Sequence, residues 1–122
     1  MTATSLPPAE DLVTIDVAGS GSTVRLTVTG EVDSSSAPAL RTALDDALAR
    51  GARELVVDLD GVTFLDSAGL CVLASTHRRS VEQGFGLRVL ASTRAVMRPL
   101  QITGLWELLA VEQIRPGEGS AA

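Results

Sequence analysis

The chain has 122 residues and a formal net charge of −5, a length that suits one domain whose core needs no disulfide. The acidic balance and an aromatic content of 2% argue against a nucleic-acid binder, which needs a basic face and rings for stacking. All ten basic residues are Arg; the lack of Lys removes P-loop phosphate binding, Schiff-base chemistry and Lys general bases.

Residues 1–11 are polar, contain Pro7 and Pro8, and read as a flexible arm before a domain over 12–114. They lack the basic and apolar regions of a signal peptide. Residues 12–17 form a short strand, 18–22 a Gly/Ser-rich turn, and 23–29 a cleanly alternating strand with Val24, Leu26 and Val28 on one face. The two predict an antiparallel hairpin. Ser34, Ser35 and Ser36 are N-cap candidates for a helix reaching about Arg50, with Leu40, Leu44 and Ala47 at helical spacing and Gly51 as its stop.

Residues 54–59 form a strand covered on both faces, because Leu55, Val56 and Val57 are a continuous apolar run. Asp60-Gly61 reads as a turn. Val62, Phe64 and Leu65 are expected to fold back over the core. A helix from Ser67 to about Gly84 follows, with Leu70, Leu73, Ala74 and Val81 on one side. Residues 86–91 form a further strand and 93–102 a helix with a kink or early end at Pro99. Residues 103–106 turn, 108–111 form a last short strand, and 115–122 read as a disordered tail. The predicted fold class is α/β, a mixed β-sheet with packed helices in the order β-β-α-β-α-β-α-(β), parallel at its centre. Function in such sheets lies at the carboxyl ends of the strands, where Asp33 and Ser67 both fall.

Ser67 has four readings. It is an N-cap satisfying a helix N–H. It is a nucleophile on a strand–turn–helix elbow, although Leu65 stands where that motif has Gly, and the one imidazole, His77, is about 15 Å along the same helix. It neighbours an acidic metal or receiver-type site built from Asp58, Asp60 and Asp66; a receiver also needs a Lys, which this chain lacks. Or it is phosphorylated, since a helix N-terminus favours a phosphate and the modification adds about −1.5 to −2 charges. Cys71, the one cysteine, cannot form an internal disulfide and reads as a small core residue. Trp106 reads as a peripheral core anchor and Arg78-Arg79 as a solvated helix face. No apolar run is long enough to span a membrane, so a reduced cytoplasmic protein is expected, without membrane insertion.

Gly30-Glu31-Val32-Asp33, then Val56-Val57-Asp58-Leu59, then Phe64-Leu65-Asp66-Ser67-Ala68-Gly69-Leu70 resemble a STAS domain of the anti-sigma factor antagonist type. Ala95-Val96 and Thr103-Gly104-Leu105 are similar to that family's third helix and the turn after it, so the likeness runs over about 12–112. The resemblance implies a STAS-type sheet and a binding protein with neither catalytic residues, metal nor cofactor. It implies partner switching: the unphosphorylated antagonist binds an anti-sigma factor and frees the sigma factor. The anti-sigma factor is often a serine kinase of the GHKL type, which phosphorylates Ser67, and a PPM-type phosphatase removes the mark. Asp33, Asp66, Ser67, Ala68, Gly69 and Leu70 would then be the partner-facing residues. Many relatives have Ser or Thr where this chain has Ala68, and Gly is frequent where it has Cys71. Relatives often carry a further C-terminal helix, which this chain is expected to lack. A STAS scaffold subunit of a phospholipid-transport or stress-signalling complex is the alternative function.

Overall fold

The structure, a computed structural model, describes residues 13–20 and 22–115. The arm expected at 1–11 and the tail expected beyond Arg115 lie outside the described residues. Five strands form one sheet in the order β1-β2-β3-β4-β5: β1 (Val13–Ser20), β2 (Thr23–Val32), β3 (Glu54–Leu65), β4 (Gly86–Ala91) and β5 (Glu112–Gln113). β1 and β2 pair antiparallel, and β2 through β5 are mutually parallel. The helices are α1 (Ala37–Ala49), α2 (Ser67–Gln83), α3 (Arg94–Ile102) and α4 (Leu105–Leu108). The expected mixed sheet is present, with α4 added. The hairpin is longer than its Gly/Ser composition suggests, because pairing continues through Ala18↔Arg25 to Ser20↔Thr23.

One apolar core joins all three longer helices to one face of the sheet. Leu26 and Val28 of β2, Leu55, Val57 and Leu59 of β3, and Val89 and Ala91 of β4 pack with Leu40 and Leu44 of α1, Leu73 of α2, and Val96 and Leu100 of α3. Aliphatic side chains fill this space almost alone, each fully buried one contributing about 1.5–3 kcal/mol of transfer free energy. Val81, expected inward, is exposed. The buried stripe of α2 passes from Leu73 to Thr76 and Ser80, whose hydroxyls donate to the carbonyls of Val72 and His77, and Val81 lies one residue beyond it.

Asp60-Gly61 is not a turn. β3 runs straight through it and carries one extra residue against β2 at each of two places, between Thr27↔Asp58 and Thr29↔Gly61 and between Gly30↔Val62 and Glu31↔Phe64. Each bulge shifts the pleat by one residue. Leu59, Val62 and Leu65, three apart, therefore all face the core. Phe64, expected over the core, faces outward instead. The Asp58 carboxylate does accept the Asp60 N–H at 2.9 Å, a local turn-type bond, but the ladder to β2 through Gly61 and the Ser92 hydroxyl donated to the Asp60 carboxylate keep the segment in the strand.

The helix expected over 93–102 is present as α3, and of the two effects expected at Pro99 the early end does not occur, since the helix continues to Ile102. The carbonyl that loses its N–H partner belongs to Ala95, an exposed residue that water reaches. The last strand is Glu112–Gln113 and not 108–111, because Gly104, at φ 80°, opens the short helix α4. The burial of Leu109 and Val111 imitates strand alternation without any pairing there.

Among the described residues, two ion pairs join strands. Arg25 of β2 meets Asp58 of β3 at 2.9 Å, with the Asp58 side chain fully buried. Arg88 of β4 makes two bonds to Glu112 of β5, at 2.9 and 2.8 Å, both side chains about half exposed. Replacing Arg25 with Leu leaves a buried carboxylate without its cation, and urea unfolding at neutral pH is expected to show a loss of about 3 kcal/mol. The hydrogen bond to Arg88 holds the Glu112 carboxyl below its ordinary value of 4.5. Its stabilisation is complete above that value and disappears as pH falls through the lowered one. Solvent screening limits it to about 0.5 kcal/mol. Comparing wild type with Glu112→Gln by urea melts from pH 7 to pH 3 is expected to show a small difference at pH 7 that closes on acidification and in high salt.

Candidate functional site

The carboxyl ends of β2 and β3 lie side by side. Val32 is in register with Leu65, and the Asp66 N–H donates to the Val32 carbonyl at 3.1 Å. The next residue of each strand is therefore an aspartate, Asp33 beside Asp66. Both are half-buried and both carry local backbone. Asp33 Oδ1 accepts the N–H groups of Ser35 and Ser36 at 2.9 and 3.2 Å, fixing the turn into α1. Ser36 is fully buried; its hydroxyl donates to the Glu31 carbonyl at 2.7 Å and accepts the Asp33 N–H at 2.9 Å.

Asp66 is the N-cap of α2. Its Oδ1 accepts from Ala68 N–H at 2.9 Å and from Gly69 N–H at 3.4 Å. The capping reading of Ser67 is thereby corrected: Ser67 is the first residue inside the helix, and the N–H groups it would have capped are taken by its neighbour. Ser67 is exposed, and its hydroxyl has no hydrogen-bond partner among the described residues. His77 lies ten residues along the same helix, about 15 Å away, and gives Ser67 no base.

The remaining motif residues divide by direction. Ala68 is half-buried beside Ser67. Gly69 is buried under the helix entrance: a Cβ there would lie 2.5 Å from Leu65 Cδ1 and 2.7 Å from Val32 Cγ1. This glycine permits α2 to sit against the ends of both strands. Leu70 is only 8% exposed and belongs to the core, so it offers a partner little surface, contrary to its expected place as a contact beside the serine. Cys71, expected inside, is exposed one helical turn after Ser67.

The three carboxylates of the acidic reading are not brought together. Asp58 is paired with Arg25, Asp60 accepts from Ser92, and Asp66 caps α2. Among the described residues no group of three or more His, Cys, Asp or Glu is placed to hold a metal ion. Glu31, Asp33 and Asp66 enter none of the ion pairs among the described residues, whose cations pair with Asp45, Asp58 and Glu112. Ser67 thus stands on a surface with an acidic border. Two grooves of about 400 and 430 Å³ lie elsewhere, between β1 and α1, lined by residues such as Val17 and Ala47 or Ile15 and Ala39. No helix among the described residues is long and apolar enough to cross a membrane.

The outward side chains at the end of β3 were not legible beforehand, because two bulges reverse the alternation on which a sequence reading depends. Fold and site together define a class: an α/β module that holds one free serine hydroxyl at the entrance of a helix, on the carboxyl edge of parallel strands. The family described as Mlab, STAS domain, matches residues 15–110. The anti-sigma-F factor antagonist RsfB of Mycobacterium tuberculosis is 35% identical over 97 residues, covering 80% of this chain and 79% of that protein. The anti-sigma-B factor antagonist of Bacillus subtilis is 30% identical over 99 residues, covering 81% and 90% respectively. The crystal structure of an anti-sigma factor antagonist from Mycobacterium paratuberculosis shares the fold with a TM-score of 0.76 at 34% identity, covering 84% of this chain and 86% of that one. The chain belongs to the STAS-domain family of anti-sigma factor antagonists.

The capping geometry separates the two adjacent polar residues energetically. Asp66→Ala is expected to lower stability by about 1 kcal/mol through loss of the N-cap, while Ser67→Ala changes it by less than about 0.5 kcal/mol. Thermal or urea melts of the two variants check this, and equal losses would return the cap to Ser67.

Proposed function

We propose that this protein is a partner switch of the cytoplasm, controlled by phosphorylation of Ser67, and acts by binding and not as an enzyme. In its unmodified form it binds an anti-sigma factor through the surface that includes Asp33, Asp66, Ser67 and Ala68, and the sigma factor is released to RNA polymerase. Gly69 and Leu70 contribute from below, by seating α2 against the strand ends. A serine kinase of the GHKL type, the anti-sigma factor itself, transfers the γ-phosphoryl group of ATP. The Ser67 Oγ–P bond forms, the bond to the ADP leaving group breaks, and the hydroxyl proton passes to the kinase. A PPM-type phosphatase hydrolyses the ester and restores the binding form.

The observation that carries this reading is an exposed Ser67 hydroxyl beside helix N–H groups that already have a carboxylate partner. A phosphate there finds the Ala68 and Gly69 N–H groups occupied. It also meets the charges of Asp33 and Asp66. Its added negative charge therefore stays on the surface, where a docked partner would have to desolvate it. The switch needs no change of fold.

Incubation with ATP and the anti-sigma factor kinase encoded in the same genome is expected to add one phosphate, located on Ser67 by mass spectrometry and absent in Ser67→Ala. Ser67→Asp is expected to bind that kinase at least tenfold more weakly than wild type, with Ser67→Ala near wild type, as read by calorimetry. Equal affinities of the two variants would rule out charge repulsion as the mechanism.

A further inference from the structure

The chain has three aromatic residues, and they are treated differently by the fold. Phe85 and Trp106 pack against the core. Phe64 is 47% exposed. This exposure follows from the second bulge of β3, which puts Val62 and Leu65 inward and leaves Phe64 in register with Glu31 of β2. Side chains in register on adjacent strands share a face, so the ring stands beside an exposed carboxylate. Phe64 is also three residues before Ser67, at most ~10 Å away along the chain. Past Asp58↔Leu90, β4 no longer pairs with β3, so no strand among the described residues covers the far edge of β3 beside Phe64.

A single exposed apolar residue is ordinary. This one is large, is held by a paired strand, and is bordered by Glu31, Asp33 and Asp66, none of them in an ion pair among the described residues. Interface centres are enriched in aromatic anchors with a polar rim. We propose that Phe64 is the apolar anchor of the docking surface, and that the anti-sigma factor receives it in an apolar pocket bordered by Arg or Lys side chains that face the acidic rim. This rests on the switch reading above. It assigns two roles to one short segment: Phe64 supplies contact area that phosphorylation leaves unchanged, and Ser67 supplies the charge that vetoes it.

The chain contains two phenylalanines, so 4-fluorophenylalanine labelling gives two fluorine signals, assigned with Phe64→Leu. On titration with the anti-sigma factor kinase encoded in the same genome, the Phe64 signal is expected to shift and the Phe85 signal to hold. Phe64→Ala is expected to weaken binding at least tenfold while its melting temperature stays near wild type, with Phe64→Leu between the two. A wild-type complex in which the Phe64 signal does not move, or in which Phe64→Ala binds within twofold of wild type, overturns the anchor alone. Absence of any wild-type complex overturns the switch reading and the anchor with it.

Discussion

The parallel pairing of β2 with β3, carried down to Val32↔Leu65, is the constraint on which the rest of the site depends. It brings two strand ends together and starts a helix from each, α1 after Asp33 and α2 after Asp66. Parallel strands need crossover helices, and here those helices enclose the single aliphatic core. The close seat of α2 depends on Gly69, which leaves no room for a side chain between Val32 and Leu65. Ser67 is thus held by backbone geometry at both sides, on a helix rather than a loop.

The aspartates near this edge show how one residue type takes different roles by position. Asp33 and Asp66 satisfy N–H groups at the two helix entrances. Asp58, fully buried, is tolerated because Arg25 and the Asp60 N–H reach it. Asp60 ties β3 to the segment after β4 through Ser92. An acidic cluster in the sequence therefore becomes a set of separate structural contacts. Capping by Asp66 leaves the neighbouring hydroxyl of Ser67 without a hydrogen bond among the described residues.

The surface around Ser67 is suited to regulation by charge. It combines an acidic border, one outward aromatic ring and an exposed hydroxyl. Phe64 and Ser67 belong to one strand–helix segment, the ring on the strand and the hydroxyl on the first residue of the helix. The exposed Cys71 lies one turn on, on the same helix face.

Much of this was legible in the sequence because it is local or periodic. Alternation in β2, the 3.6-residue spacing in α1, the serine at a helix entrance and the family motif are readable from neighbours along the chain. The positive-φ stop at Gly84 is of the same kind. What the sequence could not decide depends on partners distant in the chain. Asp60-Gly61 has the chemistry of a turn, yet the ladder to β2 and the Ser92 hydroxyl keep it in a strand. Asp66 and Ser67 are both competent N-caps, and only the hydrogen bond from Asp66 N–H to Val32 settled which one leaves the strand and which one enters the helix. The outward turn of Phe64 and the inward turn of Leu70 followed from where β3 gained a residue and how α2 packed. The sequence by itself determined the elements, their order and the serine; tertiary pairing decided which side chains face outward, because register, not propensity, sets the direction of a side chain on a strand.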